Sequence, residues 1–526
     1  MPKVLISDEL SPAAVQIFKE RGIEVVEKTG MKPKELAAMI GEFDGLALRS
    51  ASKVTPEVLA AATKLKVIGR AGIGVDNIDV KTATARGICV MNTPFGNNIT
   101  TAEHSVGMMM ALARQIPEAN SSTHLGKWEK SRFVGVELYA KTLGLVGCGN
   151  IGSIVADRAQ GLKMKVIAYD PFLSPERAVD LGVEKVDLDT LLHRSDFISL
   201  HTPLTDQTRN LIDKVALAKC KPGVRIINCA RGGLIIEEDL KAALDSGHVA
   251  GAAIDVFLTE PATENILFGH PNVVCTPHLG ASSTEAQLNV AIQVAEQMSD
   301  FLLHGAVTNA LNMASVTVEE APRLRPYMKL ADQLGAFAGQ ATETGIMKVT
   351  VEYEGQVAAL NTRPLTALML QGLLKPLLSD SVNMVNAPLV AKERNIDLTE
   401  IKHEREGDYH TLIRLTVESE RWSRSIAGTL FADQRPRVVE IKGIKIDAEL
   451  GPHMLYVTND DKPGFIGRLG TLLGDNGINI ATFALGRSAP GRDAIALVEI
   501  DGPMPPSLLK QVQDLAQVQQ AKHLVF

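Results

Sequence analysis

The chain has 526 residues, which is too long for one hydrophobic core, so several domains are expected. Apolar residues make up 45% and charged residues 22%, as in globular proteins, and aromatic residues at 4% are too sparse for a platform that stacks single-stranded nucleic acid. The net charge of −7 disfavours nucleic acid and anionic membranes as partners, and no apolar run of about 20 residues predicts a membrane-spanning helix.

The cysteines carry no pattern of a disulfide framework or of a metal site. The five are scattered along the chain, at Cys89, Cys148, Cys220, Cys229 and Cys275. The first ten residues enter a strand-like run directly, without a charged and then apolar signal segment. We therefore expect a cytoplasmic protein with reduced, buried thiols and no metal ion.

The first 98 residues alternate between strand and helix patterns. Strands are predicted at 4–7, 23–27, 45–49, 67–70 and 88–92, with helical patterns such as 12–21 and 33–40 between them. This alternation predicts a parallel sheet with helices on both faces. Arg49, Lys53 and Arg70 fall at or just after strand ends, and backbone N–H groups of the glycine-rich turn 69–76 could receive an anion. The alternative is that Arg49 and Lys53 are solvated surface charges.

A strongly apolar helix is predicted to follow, at 102–114. Thr100 and Glu103 have the spacing of a capping box, in which Thr100 is the N-cap. The apolar composition of this helix suits a buried position between two domains.

The segment 141–170 has the pattern strand, glycine turn, helix, strand, acid. Gly147 permits a sharp turn, Gly149 lets the backbone approach a pyrophosphate, and Gly152 lets the helix pack closely on the strand. Asp170 ends the next strand, where its carboxylate could accept hydrogen bonds from an adenosine ribose and would repel a 2′-phosphate. The pattern predicts a dinucleotide site that prefers NAD to NADP. The alternative is an ordinary glycine turn in an α/β sheet.

A second alternating series begins at 142. Six strands are predicted, at 143–146, 166–169, 197–201, 224–228, 252–256 and 273–276, which matches a doubly wound dinucleotide-binding fold. A long helix at 284–304 follows, and Gly305 is placed to end it.

Three predicted strands end in segments that carry Arg231, Glu260 and His278. Ligands of open α/β sheets bind beyond the carboxyl ends of the strands, so these side chains can converge on a nicotinamide. Oxidation of a 2-hydroxy acid needs such a set: an imidazole to accept the hydroxyl proton, a carboxylate to hold the imidazole, and a guanidinium to grip the substrate carboxylate. Taken singly, each residue is more often structural or solvated. The remaining histidines of this half are not part of such a set of strand-end residues and are interpreted as structural or exposed. They are His104, His124, His193, His201, His248, His270 and His304.

The C-terminal part no longer shows the regular alternation of strand and helix patterns. Residues 313–450 mix amphipathic helices with alternating strands and show no catalytic constellation. Residues 451–526 have the order βαββαβ, which predicts a ferredoxin-like module.

Six motifs together resemble the D-isomer-specific 2-hydroxyacid dehydrogenases, and among them the long-form enzymes with two regulatory domains that act on 3-phosphoglycerate. The motifs are R-S-A at 49–51, G-R-A-G-I-G-V-D-N-I-D at 69–79, V-G-C-G-N-I-G at 146–152, N-C-A-R-G-G at 228–233, D-V-F-L-T-E-P at 255–261 and T-P-H-L-G-A-S at 276–282. The resemblance covers essentially the whole chain. It implies NAD-dependent oxidation of 3-phosphoglycerate to 3-phosphohydroxypyruvate, the entry step of serine biosynthesis.

The resemblance also implies roles for individual residues. Arg231 binds substrate, Glu260 is the partner of the histidine, and His278 is the acid/base. Cofactor contacts are implied at Gly147, Gly149, Asn150, Ile151, Gly152, Asp170, Thr202, Cys229, Ala230, Arg231, Asp255, His278 and Gly280. Substrate contacts are implied at Arg49, Ser50, Lys53, Arg70, Gly72, Gly74, Asn97 and, from a neighbouring subunit, Arg132.

For the fold, the resemblance implies two doubly wound parallel-sheet lobes and two C-terminal α+β regulatory domains. The substrate domain is split (1–98 and 285–312), the NAD-binding domain is inserted at 99–284, and the lobes close over the substrate. An intervening domain at 313–450 and a ferredoxin-like ACT domain at 451–526 complete the chain. The family is tetrameric in its long form.

The last domain resembles the ACT domains that sense amino acids, through D-D-K-P-G at 460–464 and G-I-N-I at 477–480. Asp461 and Asn479 would bind an effector amino acid, for which serine is expected, at a subunit interface. Position 459, where related long forms have tyrosine, is Asn459 and is included in the predicted effector site.

Two other functions stay open at this point. One is a hydroxypyruvate, glyoxylate or D-lactate reductase of the same fold, which would not need Arg49 and Lys53 because its substrate lacks a phosphate. The other is a non-catalytic, NAD-sensing interaction protein, against which the intact set of Arg231, Glu260 and His278 argues.

Overall fold

The computed structural model describes residues 1–317, 319–343, 345–378, 381–405, 407–420, 422–431 and 434–526. It divides into two compact units, one of Met1–Asn92 with Val294–Phe526 and one of Thr93–Gln293. Within the described ranges, no helix combines the length and the apolar character needed to cross a membrane. The two sheets with helices on both faces and the two α+β modules confirm the predicted fold class.

The first unit begins with a five-stranded parallel sheet in the order β2-β1-β3-β4-β5. Its strands are β1 (Lys3–Ile6), β2 (Glu24–Glu27), β3 (Gly45–Leu48), β4 (Val67–Arg70) and β5 (Cys89–Asn92). Its helices are α1 (Pro12–Glu20), α2 (Pro33–Met39), α3 (Pro56–Ala61) and α4 (Val80–Ala85). All four residues of β3 are buried, as expected for a parallel strand covered on both faces.

The second unit contains a seven-stranded parallel sheet in the order β12-β11-β10-β9-β6-β7-β8. Its strands are β6 (Thr142–Val146), β7 (Lys165–Tyr169), β8 (Glu184–Lys185), β9 (Phe197–Leu200), β10 (Val224–Asn228), β11 (Val249–Ile254) and β12 (Val273–Cys275). Its helices are α5 (Asn98–Arg114), α6 (Ile116–His124), α7 (Asn150–Gly161), α8 (Pro175–Asp180), α9 (Leu188–Arg194), α10 (Lys214–Lys219) and α11 (Glu237–Asp245). The strand order reverses between β6 and β9, the place where doubly wound sheets bind dinucleotides.

The chain returns to the first unit within α12 (Thr284–His304) and then forms a six-stranded sheet in the order β14-β13-β15-β16-β17-β18. Its strands are β13 (Lys348–Gly355), β14 (Asp397–His403), β15 (Thr411–Glu418), β16 (Ser423–Leu430), β17 (Pro436–Ile441) and β18 (Ile444–Ala448). The helices are α13 (Ala321–Ala341), α14 (Arg363–Leu374) and α15 (Ala387–Glu393). α13 packs directly on α14, since a Cβ at Gly335 would lie 2.2 Å from the carbonyl oxygen of Met369.

The last module has the predicted ferredoxin-like order. Its antiparallel sheet runs β20-β21-β19-β22, and two helices cover one face. The elements are β19 (His453–Asp460), α16 (Phe465–Asp475), β20 (Ile480–Arg487), β21 (Asp493–Ile500), α17 (Pro506–Gln513) and β22 (Val518–Val525).

Two local predictions were wrong. β8 was missed because it has only two residues, both exposed, and so carries no apolar signal. The long apolar helix starts at Asn98 with Asn97 as its N-cap, not at Ala102 with Thr100 as N-cap. The carbonyl of Asn97 already accepts the N–H of Thr101 at 3.0 Å, and the hydroxyl of Thr100 lies instead 3.0 Å from that of Ser283.

Candidate active site

The glycine turn lies between β6 and α7, at the carboxyl edge of the seven-stranded sheet. Gly147 has φ +94°, and a Cβ there would lie 2.6 Å from the carbonyl oxygen of His201. A Cβ at Gly152 would lie 2.2 Å from the carbonyl oxygen of Gly147, so only glycine allows this contact between turn and helix. At Gly149 a Cβ would meet no atom within 4 Å, which leaves open space where a pyrophosphate would approach.

The helix behind this turn is suited to phosphate. α7 starts at Asn150, and its N-cap Gly149 supplies no side-chain hydrogen bond. The first N–H groups of α7, which include those of Asn150 and Ile151, are therefore available to an anion at the positive end of the helix dipole.

We expect Gly149→Ala and Gly152→Ala to separate cofactor binding from folding. Gly149→Ala should leave the free energy of unfolding unchanged but raise the dissociation constant for NAD about tenfold or more, because its methyl group occupies the phosphate approach. Gly152→Ala should lower the free energy of unfolding by about 1–3 kcal/mol through the clash with Gly147. Chemical denaturation and NAD titration measure the two effects.

Gly161→Ala is the matched control, since Gly161 ends the same helix and a Cβ there also meets nothing within 4 Å. Its NAD affinity should equal that of the wild type. If Gly149→Ala bound NAD as tightly as Gly161→Ala, the cofactor phosphates could not lie against this turn.

Asp170 lies directly after β7. Its Oδ2 accepts the N–H of Cys148 at 2.9 Å and its Oδ1 accepts the N–H of Phe172 at 2.8 Å, so the carboxylate is fixed beside the glycine turn. A cleft of about 680 Å³ adjoins it and includes Arg194, whose guanidinium makes hydrogen bonds of 2.6 and 2.7 Å to Glu184. The carboxylate favours ribose hydroxyls and disfavours a 2′-phosphate.

His278 and Glu260 are in direct contact. The Nδ1 atom of His278 lies 2.6 Å from Oε2 of Glu260, and Oε1 of Glu260 accepts the N–H of Phe257 at 3.0 Å. Burial would raise the pKa of Glu260, but the hydrogen bonds from His278 and Phe257 outweigh it and hold this pKa below its usual value. Glu260 is therefore a carboxylate at neutral pH. The His278 side chain is 48% exposed, which leaves its ring accessible to a reactant.

The turn that carries Arg231 follows β10 and packs on the turn that carries Glu260. A Cβ at Gly232 would lie 1.9 Å from the carbonyl oxygen of Phe257, so the two turns touch through glycine. Asn228 closes the Arg231 turn, since its Nδ2 donates to the carbonyl of Arg231 at 2.9 Å and its Oδ1 accepts the N–H of Ala230 at 3.1 Å. Nη1 of Arg231 donates to the carbonyl of Ala230 at 2.6 Å.

Asp255, directly after β11, connects these turns to the histidine loop. Its side chain is fully buried, and its oxygens accept the Thr276 hydroxyl at 2.6 Å and the N–H groups of Leu279 at 2.7 Å and Gly280 at 2.9 Å. Burial would raise the pKa of Asp255, but the hydrogen bonds from His104, Thr276 and Leu279 outweigh burial and hold this pKa below its usual value. The carboxylate therefore remains ionised. Asp255 thus holds the loop around His278.

The other predicted cofactor residues lie at the same edge of the sheet. Thr202 follows β9, and Cys229 and Ala230 follow β10. Cys229 is 4% exposed, and burial raises the pKa of its thiol to about 12, so this thiol is protonated and contributes shape, not charge. The second unit therefore brings the predicted cofactor residues to one edge, together with Arg231, Glu260 and His278.

Most predicted substrate residues belong to the first unit. Arg49, Ser50 and Lys53 follow β3, and Arg70 ends β4, its register partner in that sheet being Leu48. Asp8 fixes the turn after β3, because its carboxylate accepts the N–H of Arg49 at 2.7 Å and that of Ser52 at 3.0 Å.

The glycine-rich turn after β4 holds two more of them. Gly72 has φ +142°, and a Cβ there would lie 1.5 Å from Nη1 of Arg70, so this glycine makes room for the guanidinium. Gly74 follows in the same turn. Six predicted substrate residues thus lie at or just after the carboxyl ends of two adjacent strands.

Asn97 and Arg132 lie in the second unit. Asn97 is the N-cap of α5 and is 7% exposed, and its Oδ1 accepts no hydrogen bond from the described residues. Arg132 is 58% exposed, and its Nη1 lies 3.1 Å from Oε2 of Glu129. An exposed arginine of this kind is compatible with a contact to a second subunit.

The structure does not bring the three predicted effector residues to one common partner. Oδ2 of Asp461 accepts Nη1 of Arg487 at 3.0 Å and the N–H of Gly491 at 3.0 Å, and these bonds lower the pKa of Asp461. Nδ2 of Asn479 donates to Asp501 at 2.8 Å. Asn459 is 2% exposed and donates to the carbonyl of Asp460.

Three residues at the site carried no predicted role: Asn228, Thr276 and His104. The first two stand inside the motifs N-C-A-R-G-G and T-P-H-L-G-A-S, so their positions beside Arg231 and His278 were the available signal. His104 was interpreted as structural or exposed, yet its Nε2 lies 3.3 Å from Oδ1 of Asp255.

Comparison with known families matches three parts of the chain. Residues 106–280 match the NAD binding domain of the D-isomer specific 2-hydroxyacid dehydrogenases. Residues 323–442 match the D-3-phosphoglycerate dehydrogenase intervening domain, and residues 453–517 match the ACT domain.

Curated relatives match nearly the full length. A D-3-phosphoglycerate dehydrogenase of Synechocystis sp. is 44% identical over 99% of this chain and 94% of its own. One of Bacillus subtilis is 42% identical over 99% of both chains.

Solved structures match the dehydrogenase part. A glyoxylate reductase from Paecilomyes thermophila is 30% identical with a TM-score of 0.55, covering 59% of this chain and 98% of its own. The D-lactate dehydrogenase of Escherichia coli is 28% identical with a TM-score of 0.53, covering 59% of this chain and all of its own. These enzymes cover little more than half of the chain, whereas the curated relatives also match the C-terminal domains. The NAD-binding dehydrogenase core, the intervening domain and the ACT domain together place this chain in the D-3-phosphoglycerate dehydrogenase family.

Proposed function

We propose that the protein oxidises 3-phosphoglycerate to 3-phosphohydroxypyruvate with NAD, as the entry step of serine biosynthesis. The observation that carries this function is the contact of 2.6 Å between His278 and Glu260, beside the Arg231 turn, in a chain that matches the 3-phosphoglycerate enzymes over 99% of its length. The alternative reductases match only the 59% that forms the dehydrogenase part.

The three side chains have different tasks in the reaction. His278 accepts the proton of the C2 hydroxyl at Nε2, because Nδ1 is held by Glu260. The Glu260 carboxylate stabilises the imidazolium that forms. Arg231 binds the substrate carboxylate and polarises the developing carbonyl oxygen. The glycine turn and Asp170 would hold NAD, which would supply the hydride acceptor for the hydrogen on C2.

A panel of D-2-hydroxy acids tests this function. NADH formation should be fastest with 3-phosphoglycerate and much slower with D-lactate, D-glycerate and glycolate. Turnover of D-lactate or of glycolate at a higher kcat/KM than 3-phosphoglycerate would instead favour one of the reductase functions. No turnover of any 2-hydroxy acid would favour a non-catalytic NAD sensor.

Lys53 and Arg49 are proposed to bind the phosphate. We expect Lys53→Ala to raise the KM for 3-phosphoglycerate about tenfold while the KM for unphosphorylated D-glycerate changes little, because only the first substrate presents a dianion to this exposed lysine. Steady-state kinetics with both substrates measures the difference. Lys64→Ala, an exposed lysine of the same unit, is the control. An equal rise in KM for both substrates would show that Lys53 does not bind the phosphate.

The ACT domain is proposed to bind serine, the end product of the pathway. The carboxylate of Asp461 would accept a hydrogen bond from the α-ammonium group of serine, which would partly replace its present hydrogen bond from Arg487. We expect serine to lower the rate of the wild type, and Asp461→Asn to raise the serine concentration for half-inhibition about tenfold, because the ammonium loses its charged partner.

Asp447→Asn is the control, since Asp447 likewise pairs with an arginine, Arg437, at 3.2 Å. Each variant is compared with its own rate without serine. If both variants kept the serine response of the wild type, Asp461 would not be the effector ligand.

The protein is further proposed to be a cytoplasmic homotetramer. Support for self-association comes from apolar side chains that are strongly exposed in α6 and in the segment after it, at Ile116, Leu125, Trp128, Val134 and Tyr139. The five cysteines are all free, as in a reducing compartment. Light scattering should give a mass near four times that of one chain.

A further inference from the structure

His104 connects α5 to the ends of two strands that carry the active site. Its side chain is 21% exposed, and its Nε2 lies 3.3 Å from Oδ1 of Asp255 and 3.3 Å from Oγ1 of Thr276. Asp255 follows β11 and Thr276 follows β12. One imidazole therefore reaches two of the turns at the carboxyl edge of the sheet.

Asp255 fixes the loop that presents His278. Its carboxylate accepts the N–H groups of Leu279 and Gly280 at 2.7 and 2.9 Å, and its backbone carbonyl accepts the N–H of His278 at 2.9 Å. Three consecutive residues thus depend on one buried aspartate. His278 has φ +56°, a left-handed conformation that side chains other than glycine rarely adopt, so the loop needs such anchoring.

The carboxylate of Asp255 needs donors because it is fully buried. His104 is the side chain that brings a donor from α5, whereas the other donors to Asp255 come from the residues 276–280 themselves. His104 therefore ties the histidine loop, through Asp255, to a helix outside it.

A metal site is the competing interpretation of this cluster, since ligand atoms of His104, Cys229 and Asp255 lie within 4.8 Å of one another. The Cys229 thiol is protonated at neutral pH, and both oxygens of Asp255 already accept hydrogen bonds from the loop. A cation would have to displace the bonds that hold the loop, so the cluster is better suited to positioning than to metal.

We propose that His104 is a positioning residue of the dehydrogenase reaction, acting through Asp255 on the loop 276–280 that presents His278. The inference rests on the proposed role of His278. It assigns His104 no contact with substrate or cofactor.

The test compares two replacements at position 104. His104→Gln keeps an N–H donor near the place of Nε2, whereas His104→Leu has a similar volume and no donor. We expect His104→Leu to lower kcat about tenfold or more, because misplacing a reacting group by about 1 Å costs up to about 100-fold. His104→Gln should stay within about threefold of the wild type. The KM for 3-phosphoglycerate should change less than kcat in both variants.

His248→Leu is the control for loss of a partly buried histidine bond, since Nε2 of His248 bonds the carbonyl of Leu217 at 2.9 Å in the same unit. It should keep the wild-type kcat. Equal kcat values for His104→Gln and His104→Leu would overturn the proposal, whether both match the wild type or both are reduced. Turnover that persists in His278→Ala would instead overturn the role of His278, so the two failures are distinguishable.

Discussion

His278→Ala is expected to lower kcat about a thousandfold while the dissociation constant for NADH stays within about threefold of the wild type. The imidazole is the group placed to accept the hydroxyl proton, and positioned acid/base groups contribute about 10²–10⁴-fold. The phosphate turn and Asp170 lie on other strands and are untouched by the change. Steady-state kinetics gives kcat, and NADH fluorescence gives binding.

His193→Ala is the matched control, because His193 is an exposed histidine of the same unit whose ring bonds the carbonyl of Asp189 within α9. It should keep full activity. Near wild-type turnover in His278→Ala would show that another group carries the proton.

The Glu260 carboxylate adds a second prediction at this histidine. Because the pKa of Glu260 lies below its usual value, the carboxylate is charged throughout the neutral range and stabilises the imidazolium that forms in the reaction. Glu260→Gln can still hold the ring but carries no charge, so we expect kcat to fall about tenfold or more across the neutral range. A kcat equal to that of the wild type would show that the contact does not couple the two charges.

Arg231→Ala is expected to lower kcat/KM for 3-phosphoglycerate about a thousandfold, mainly through kcat. The guanidinium is proposed to hold both the substrate carboxylate and the oxygen that becomes a carbonyl, so its interaction strengthens as the reaction proceeds. Arg231→Lys should still lose about 100-fold, because an ammonium cannot offer two parallel donors in one plane. Initial rates with varied substrate measure both variants.

Two further measurements sharpen this prediction. Added guanidinium should restore part of the activity of Arg231→Ala and none of the activity of His278→Ala. Arg209→Ala, at an exposed arginine of the same unit, should behave as the wild type. If Arg231→Lys were as active as the wild type, a single positive charge would be enough for activity, and the proposal that Arg231 binds the substrate through two parallel donors would be wrong.

The sequence predicted those parts of the fold that depend on local pattern. The glycine turn could be predicted because Gly147, Gly149 and Gly152 each answer a local steric demand. The doubly wound sheet followed from apolar runs that alternate with helical periods, and the observed order reverses between β6 and β9 as that fold requires. The two-residue β8 has no such run and could not be found.

The candidate site likewise has parts that could be predicted from the sequence and parts that could not. Glu260 and His278 lie 18 positions apart in turns rich in proline and glycine, so their meeting could be predicted from the ends of the strands. The bond between His104 and Asp255 joins a helix to a strand end 151 positions later, and helical periodicity gives no sign of it. Asn459 shows the limit of analogy, because its place directly before the motif at 460–464 does not reveal that it is only 2% exposed.

The chain encodes its candidate chemistry and its candidate phosphate recognition in separate compact units, since Arg231, Glu260 and His278 lie within Thr93–Gln293 and Arg49, Lys53 and Arg70 within Met1–Asn92. Natural selection can therefore alter which acid is accepted by changing one unit, while the other keeps an unaltered hydride-transfer apparatus. This modularity offers a physical route by which enzymes named for glyoxylate and for D-lactate share a scaffold with this chain. Directed evolution of new substrates should accordingly begin with libraries at Ser50 and Lys53, both exposed, and spare the crowded position Gly232.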